Sequence, residues 1–255
     1  SVKAAAADPD APREKRLLQR EDVDRDQSIL SQRKDPTAYP EVTAVGYWFE
    51  AIRTYREWDF GRNTSPRLPQ PSDQRNDFLA EDAGNLGLVL NQLKQTIRPA
   101  LLEAVRNLYE GAEDFDIVTQ MGRVQLYLFE TGLKESVPAT RLSDGTLRWL
   151  CLVSILLHPH PPPLVCIEEP EIGLHPDLIP KLADLLRDAS QRSQLVVTTH
   201  SDVLVDALHD PDAVVVCEKG PGGTTMKRLA STDLEAWLKK YTLGQLWRAG
   251  QIGGN

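Results

Sequence analysis

Two short apolar runs constrain this chain more than anything else in it. Leu164-Val165-Cys166-Ile167-Glu168-Glu169 and Gln194-Leu195-Val196-Val197-Thr198-Thr199-His200 are brief, and their apolar cores are continuous rather than alternating. Runs of that kind read as buried strands, covered on both faces. Between them, residues 177–190 place Leu178, Leu182, Leu185 and Leu186 at helical steps. Buried strands separated by helices predict a partly parallel sheet within residues 112–230.

The surrounding pattern extends this lobe. Residues 142–157 read as a loop followed by an apolar helix, while 115–122 and 123–132 alternate apolar and polar residues like two strands joined near Gly122. Residues 213–218 and 224–229 read as further strands, and 234–247 as largely helical. Upstream, Val42, Val45, Trp48, Phe49, Ile52 and Tyr55 recur at three- and four-residue steps, which predicts an amphipathic helix over 41–57. Residues 61–76 are rich in proline and polar side chains and read as a loop. Two helical stretches follow, the second stopped by Gly111. Residues 1–35 interleave both charge signs, as an exposed helix or a poorly ordered lead-in does. The expected organisation is therefore a mixed-charge and helical region over 1–111 and an α/β lobe over 112–255, its partly parallel sheet flanked by helices.

Composition excludes some partners. With 29 Lys+Arg against 37 Asp+Glu the formal net charge is −8, which argues against a uniformly basic nucleic-acid binder without excluding a local basic groove. The longest apolar stretch, residues 149–157, is too short to span a bilayer, and the N-terminus has no apolar signal region. The three cysteines have no CxxC spacing, so a reducing cytoplasm is the expected setting, with Cys151 and Cys166 as small core residues.

Three segments carry candidate chemistry. The first apolar run delivers Glu168 and Glu169 to a strand end, where strand alternation sends them to opposite sides. Acids beside a core are costly unless paired. They serve either Mg²⁺ and an attacking water, or simply solvation where the strand surfaces. Leu142-Ser143-Asp144-Gly145-Thr146 opens the apolar helix. Ser143 there is either a plain N-cap or part of an anion site with the Gly145 N–H. The second run ends on His200, which is either a satisfied loop histidine or a group that touches a phosphate or orients a water.

Ser143 precedes Glu169 by 26 residues and His200 follows it by 31. In that order the segments resemble the ABC-type ATPase heads, a P-loop superfamily that includes ABC transporter motors, RecF and the structural-maintenance-of-chromosomes proteins. LSDGT resembles their signature motif, LVCIEEPEIGLHP their Walker B and D-loop, and QLVVTTHS their switch-histidine strand. EEPEIGLHP with TTHS is similar more narrowly to the RecF/OLD-like predicted AAA ATPases, as are the Asn85-Leu86 helix start and the closing LGQLWRAGQIGG.

The resemblance implies an ATP-hydrolysing P-loop lobe that works as a homodimer sandwiching ATP, with Mg²⁺, in DNA repair or phage defence. Glu168 would help hold Mg²⁺, through water because glutamate stands where the family often has aspartate. Glu169 would be the general base and His200 the switch residue at the γ-phosphate. Ser143, Gly145 and Thr146 would contact the nucleotide of the second subunit. Asp144 replaces the glycine common in transporters. His175, in the D-loop, would either reach the dimer contact or lead into the next helix. Arg148 would pair with an acid or a phosphate, a structural pair being the preferred expectation.

The sixteen glycines include no Gly-Lys dipeptide, so GxxxxGK[ST] is absent. The expectation is that a Walker A lobe is supplied in cis or by a partner chain, and that this chain alone hydrolyses ATP poorly or not at all. Two other readings stand beside the ATPase. One is a non-catalytic module in which nucleotide controls dimerisation. The other is a metal-dependent hydrolase using Glu168, Glu169, Glu171, His175 and His200.

Overall fold

The computed structural model describes residues 24–253. The chain forms two compact units, one ending at Ala51 and one beginning at Ile52. Residues 1–23, most of the mixed-charge lead-in, lie outside the described residues.

In the first unit, α1 (Ile29–Gln32) is capped by the Ser28 hydroxyl, and α2 (Pro40–Glu50) starts on a proline whose missing N–H costs nothing there. The two approach so closely that a Cβ on Gly46 would stand 2.7 Å from the Leu30 carbonyl oxygen. An ion pair joins Lys34 to Glu50. The amphipathic helix expected over 41–57 is shorter than its periodicity: it stops at Glu50, and Val45, Trp48 and Phe49 are exposed rather than buried.

The second unit follows the chain through β1 (Arg53–Tyr55), β2 (Gln70–Pro71), α3 (Leu86–Arg106), β3 (Ala112–Gln120), β4 (Arg123–Glu130), β5 (Val137–Pro138) and α4 (Asp144–Leu156). It continues with β6 (Leu164–Glu168), α5 (Leu178–Ser190), β7 (Gln194–Thr198), α6 (Asp202–Leu208), β8 (Val215–Gly220), β9 (Gly223–Arg228), α7 (Ser231–Leu238) and α8 (Leu243–Arg248). The order β1-β6-β7 makes a parallel sheet; β2-β4-β3, with β5 on β4, makes an antiparallel one; β8 and β9 form a hairpin.

The partly parallel sheet flanked by helices is thus present, but its composition differs from expectation. β1 lies outside 112–230 and pairs with β6 from Arg53↔Val165 to Tyr55↔Ile167. Tyr55, the last residue of the helix-like periodicity, falls in a strand because the partners of that strand lie far along the chain, where local periodicity carries no signal. The strands β3 and β4 are antiparallel and belong to a separate sheet.

One face of the parallel sheet is dry. Tyr55, Val165 and Ile167 belong to the main core, with Trp149, Leu150, Leu152 and Val153 of α4 and Leu182 and Leu186 of α5. The other face is more open than two continuous apolar runs predict: Val196 is 49% exposed, and Gln194 and Thr198 are exposed beside it. α4 itself is buried on nearly all sides, as an apolar helix without a polar stripe must be. The Trp149 indole N–H donates to the Ala104 carbonyl of α3 at 2.8 Å, which satisfies its one polar atom.

α3 joins the two expected helical stretches in one element with a kink. Ile97 sits at φ −127°, ψ 30°, two residues before Pro99, which has no N–H to donate. The helix expected over 234–247 is instead divided into α7 and α8, because Thr242 forms a capping box with Gln245 and starts a new helix.

His158, just past α4, carries a pH dependence. Its Nε2–H donates to the Asp77 carbonyl at 2.8 Å, and its Nδ1 accepts from the His160 N–H at 3.2 Å. Burial pulls its imidazole below the ordinary histidine value, and protonating Nδ1 would set two donors face to face. The unfolded chain therefore takes up a proton that the folded chain resists. Stability is full above about pH 6.5 and falls as the pH drops below it, until the folded ring also titrates. Urea unfolding at about pH 7.5 and about pH 5.5 should show this loss, and His158→Gln should reduce it. An unchanged slope in the variant would remove His158 from the explanation.

Candidate functional site

The site begins where β6 ends. Glu168 pairs in register with Thr198, and the Glu169 N–H donates to the Thr198 carbonyl at 3.0 Å, so the ladder holds to its last rung. At Glu169 the backbone turns left-handed, φ 41°, a conformation uncommon for any residue with a side chain. That turn ends strand alternation before it can apply to Glu169. Glu168 is exposed, and among the described residues no hydrogen bond or ion pair engages its carboxylate. Glu169 Oε1 lies 3.8 Å from His200 Nε2, the histidine side chain being 83% exposed and the glutamate 32%. Glu168, Glu169 and His200 therefore gather at the C-terminal ends of two adjacent parallel strands, the edge where open α/β sheets bind ligands.

Ser143 is the N-cap of α4. Its hydroxyl oxygen accepts from the Thr146 N–H at 3.0 Å and lies 2.8 Å from the Thr146 hydroxyl. Asp144 is not free to move: it pairs with Arg67, whose guanidinium is buried and also donates to the carbonyls of Phe60, Ala139 and Leu142. Ser143, Gly145, Thr146 and His175 border one cavity of about 740 Å³, together with Arg106 and Lys181. His175 itself is exposed, and its Nδ1 accepts from the Asp177 N–H at 3.3 Å at the lead-in to α5. The six residues read from the sequence for binding and catalysis, with Glu168, thus form two groups bridged by the 169–176 loop.

Gly145 answers to that loop as well as to any ligand. A Cβ there would stand 2.5 Å from the Gly173 carbonyl oxygen, a main-chain atom with no flexible side chain to swing aside. Gly→Ala inside a helix ordinarily stabilises by about 1 kcal/mol, but this clash reverses the sign. Gly145→Ala should lower stability by roughly 1–3 kcal/mol in urea unfolding, the usual cost of overpacking. A stabilised variant would show that the loop yields.

Among the described residues no hydrogen bond or ion pair joins Arg148 to an acid, the structural pair preferred for it. Its guanidinium lies 5.5 Å from the ring centroids of both Trp58 and Phe60, and burial holds it below the ordinary arginine value although Glu171 and Asp144 support its charge. Among the described residues no group of three or more His, Cys, Asp or Glu side chains could hold a metal ion, and His175 and His200 engage different carboxylates. The metal-dependent hydrolase reading has no geometric support. All three cysteines are free thiols, and the two assigned to the core differ: Cys151 is buried, while Cys166 is only partly so.

Two residues escaped the pattern reading. Arg67 lies in a proline-rich loop with no periodicity; its only signal was an acid at position 144 that needed a partner. Glu171 accepts from the Thr199 hydroxyl and from the His200 N–H, yet in the sequence it figured only among candidate metal ligands.

A stretch of 77 residues is 34% identical to the Old nuclease of Escherichia phage P2; it makes up 30% of this chain and 13% of the phage protein, so the chain spans a small part of that relative. The Smc head domain of Pyrococcus furiosus aligns over 61% of this chain and 39% of its own, at 17% identity and TM-score 0.47. The SMC head domain of Thermotoga maritima aligns over 58% of this chain and 52% of its own, at 16% identity and TM-score 0.39. Those two likenesses are too loose to support residue roles. No helix among the described residues is long and apolar enough to cross a membrane. The family model described as AAA domain, putative AbiEii toxin, Type IV TA system matches residues 7–206, and the chain belongs to that family of ATPase-like domains.

Proposed function

We propose that this chain is the part of an ABC-type ATPase that carries the signature helix, the Walker B acids and the switch histidine, and that it hydrolyses ATP when two copies close on nucleotide. The observation that carries the reading is the 3.8 Å approach of Glu169 to His200 at adjoining strand ends. Glu169 takes the proton of the attacking water, and His200 holds that water or the γ-phosphate in place. Glu168, whose carboxylate on the rim has no partner among the described residues, suits a hard cation that keeps most of its waters. When bound, Mg²⁺ neutralises charge on the β- and γ-phosphates. The first turn of α4 offers the N–H groups of Asp144 and Gly145, which have no intrahelical acceptor, to the nucleotide of the second copy, beside Ser143, Thr146 and His175.

The reading requires a phosphate cradle from outside these 255 residues, in cis or from a partner chain, because they contain no GxxxxGK[ST]. The wider role is cytoplasmic, in DNA repair or phage defence, supported by the motif resemblance and by the stretch shared with a phage nuclease. Sedimentation of Glu169→Gln, with the phosphate cradle supplied, with and without Mg²⁺-ATP tests the sandwich. A nucleotide-dependent dimer is expected, and a monomer at saturating nucleotide would refute the sandwich. The missing cradle also favours a second reading, a non-catalytic module in which nucleotide controls dimerisation. Dimerisation by the native chain without phosphate release, cradle supplied, would select it.

A further inference from the structure

Glu171 stands two residues beyond the acid pair. Its Oε1 accepts from the Thr199 hydroxyl and from the His200 backbone N–H, the latter at 3.2 Å. The Thr199 hydroxyl oxygen in turn accepts from the Ser201 N–H at 2.9 Å, and the Ser201 hydroxyl caps α6 through the Leu204 N–H at 3.1 Å. One carboxylate oxygen therefore organises the whole turn that carries His200. The other oxygen, Oε2, is buried and has no hydrogen-bond partner among the described residues. An acid in that state is costly, and solvation at a surface does not account for it. The half-buried cation of Arg148, held over Trp58 and Phe60, feels its charge.

The His200 ring is 83% exposed, and its contact among the described residues is Glu169. A ring with so little packing around it takes its place from the main chain that carries it. Hydrogen bonds from a backbone N–H to an ionised carboxylate are roughly twice as strong as neutral ones, which suits Glu171 to that task.

We propose that Glu171 is a positioning residue, which fixes the main chain at His200 and so keeps the imidazole against Glu169. The proposal rests on the reading of Glu169 and His200 as the reacting pair, but its test needs no nucleotide and stands or falls separately from that reading.

The test is nuclear magnetic resonance on the isotope-labelled full chain. In Glu171→Ala the His200 backbone amide should exchange with solvent about tenfold faster or more, the expected loss for one charge-assisted hydrogen bond. The His200 ring resonances should move toward those of a rotamer-averaged histidine, although Glu171 touches only main chain and a neighbouring hydroxyl. A role in stability alone would not move the ring in a folded variant. Glu171→Gln keeps an acceptor and should recover most of the protection. Unchanged exchange and ring resonances in Glu171→Ala would overturn the proposal. Should that variant not fold, Glu171→Gln carries the test: its neutral acceptor should protect the His200 amide measurably less than the native carboxylate does, and protection equal to the native chain's would overturn the proposal.

Discussion

Replacing Glu169 with glutamine is expected to lower ATP turnover by about 10²–10⁴-fold and to leave nucleotide binding intact, the usual contribution of a positioned general base. The amide matches the carboxylate in size and cannot take a proton from water. At the left-handed Glu169 the ladder bond to Thr198 uses the main-chain N–H and not the side chain, so the substitution should leave the loop in place. Nor does it strand a buried charge, since the His200 side chain is 83% exposed. Phosphate release and equilibrium ATP binding, measured with the phosphate cradle supplied, separate the two effects. Turnover that survives would move the base elsewhere, and binding lost together with turnover would make Glu169 a ligand or a structural group.

Arg67→Met should cost roughly 2–5 kcal/mol of stability, from the usual penalty for each buried acceptor left without a donor. The buried guanidinium serves the carbonyls of Phe60, Ala139 and Leu142 and the carboxylate of Asp144. The Ala139 carbonyl keeps a second donor, the Leu142 N–H at 3.2 Å, but the carbonyls of Phe60 and Leu142 have none among the described residues. Asp144 is mostly exposed and can be solvated, so the penalty falls on those two carbonyls. For a chain of this size the thermal midpoint should drop by roughly 5–15 °C. Because the same contacts hold the start of α4, the variant should also loosen Ser143 and Thr146. A midpoint within about a degree of the native one would mean that water replaces the guanidinium.

The central elements were legible because their signals are local. β6, α5 and β7 each show in a few residues, and a strand–helix–strand order leaves little choice but parallel pairing, which brings the ends carrying Glu169 and His200 together. Ser143 likewise announces itself as a cap. What stayed hidden depends on distant partners. β1 is three residues long and is defined by Val165 to Ile167, more than a hundred positions away. Arg67 and Asp144 meet across 77 residues of chain. The open face around Val196 has the composition of a doubly buried strand, so composition alone does not reveal its exposure. The break at Thr242 was available in the sequence, since threonine followed three residues later by glutamine is a helix-start pattern, but the apolar periodicity on either side masked it.

The most direct measurement replaces Mg²⁺ with Mn²⁺, whose unpaired electrons broaden the resonances of nearby nuclei, in the chain supplied with ATP and its phosphate cradle. Broadening should centre on Glu168, Glu169 and His200 and fade along β6 and β7 toward Leu164 and Gln194. Nucleotide bound with those three residues left sharp, or broadening centred elsewhere, would contradict the assignment of this strand edge to ATP.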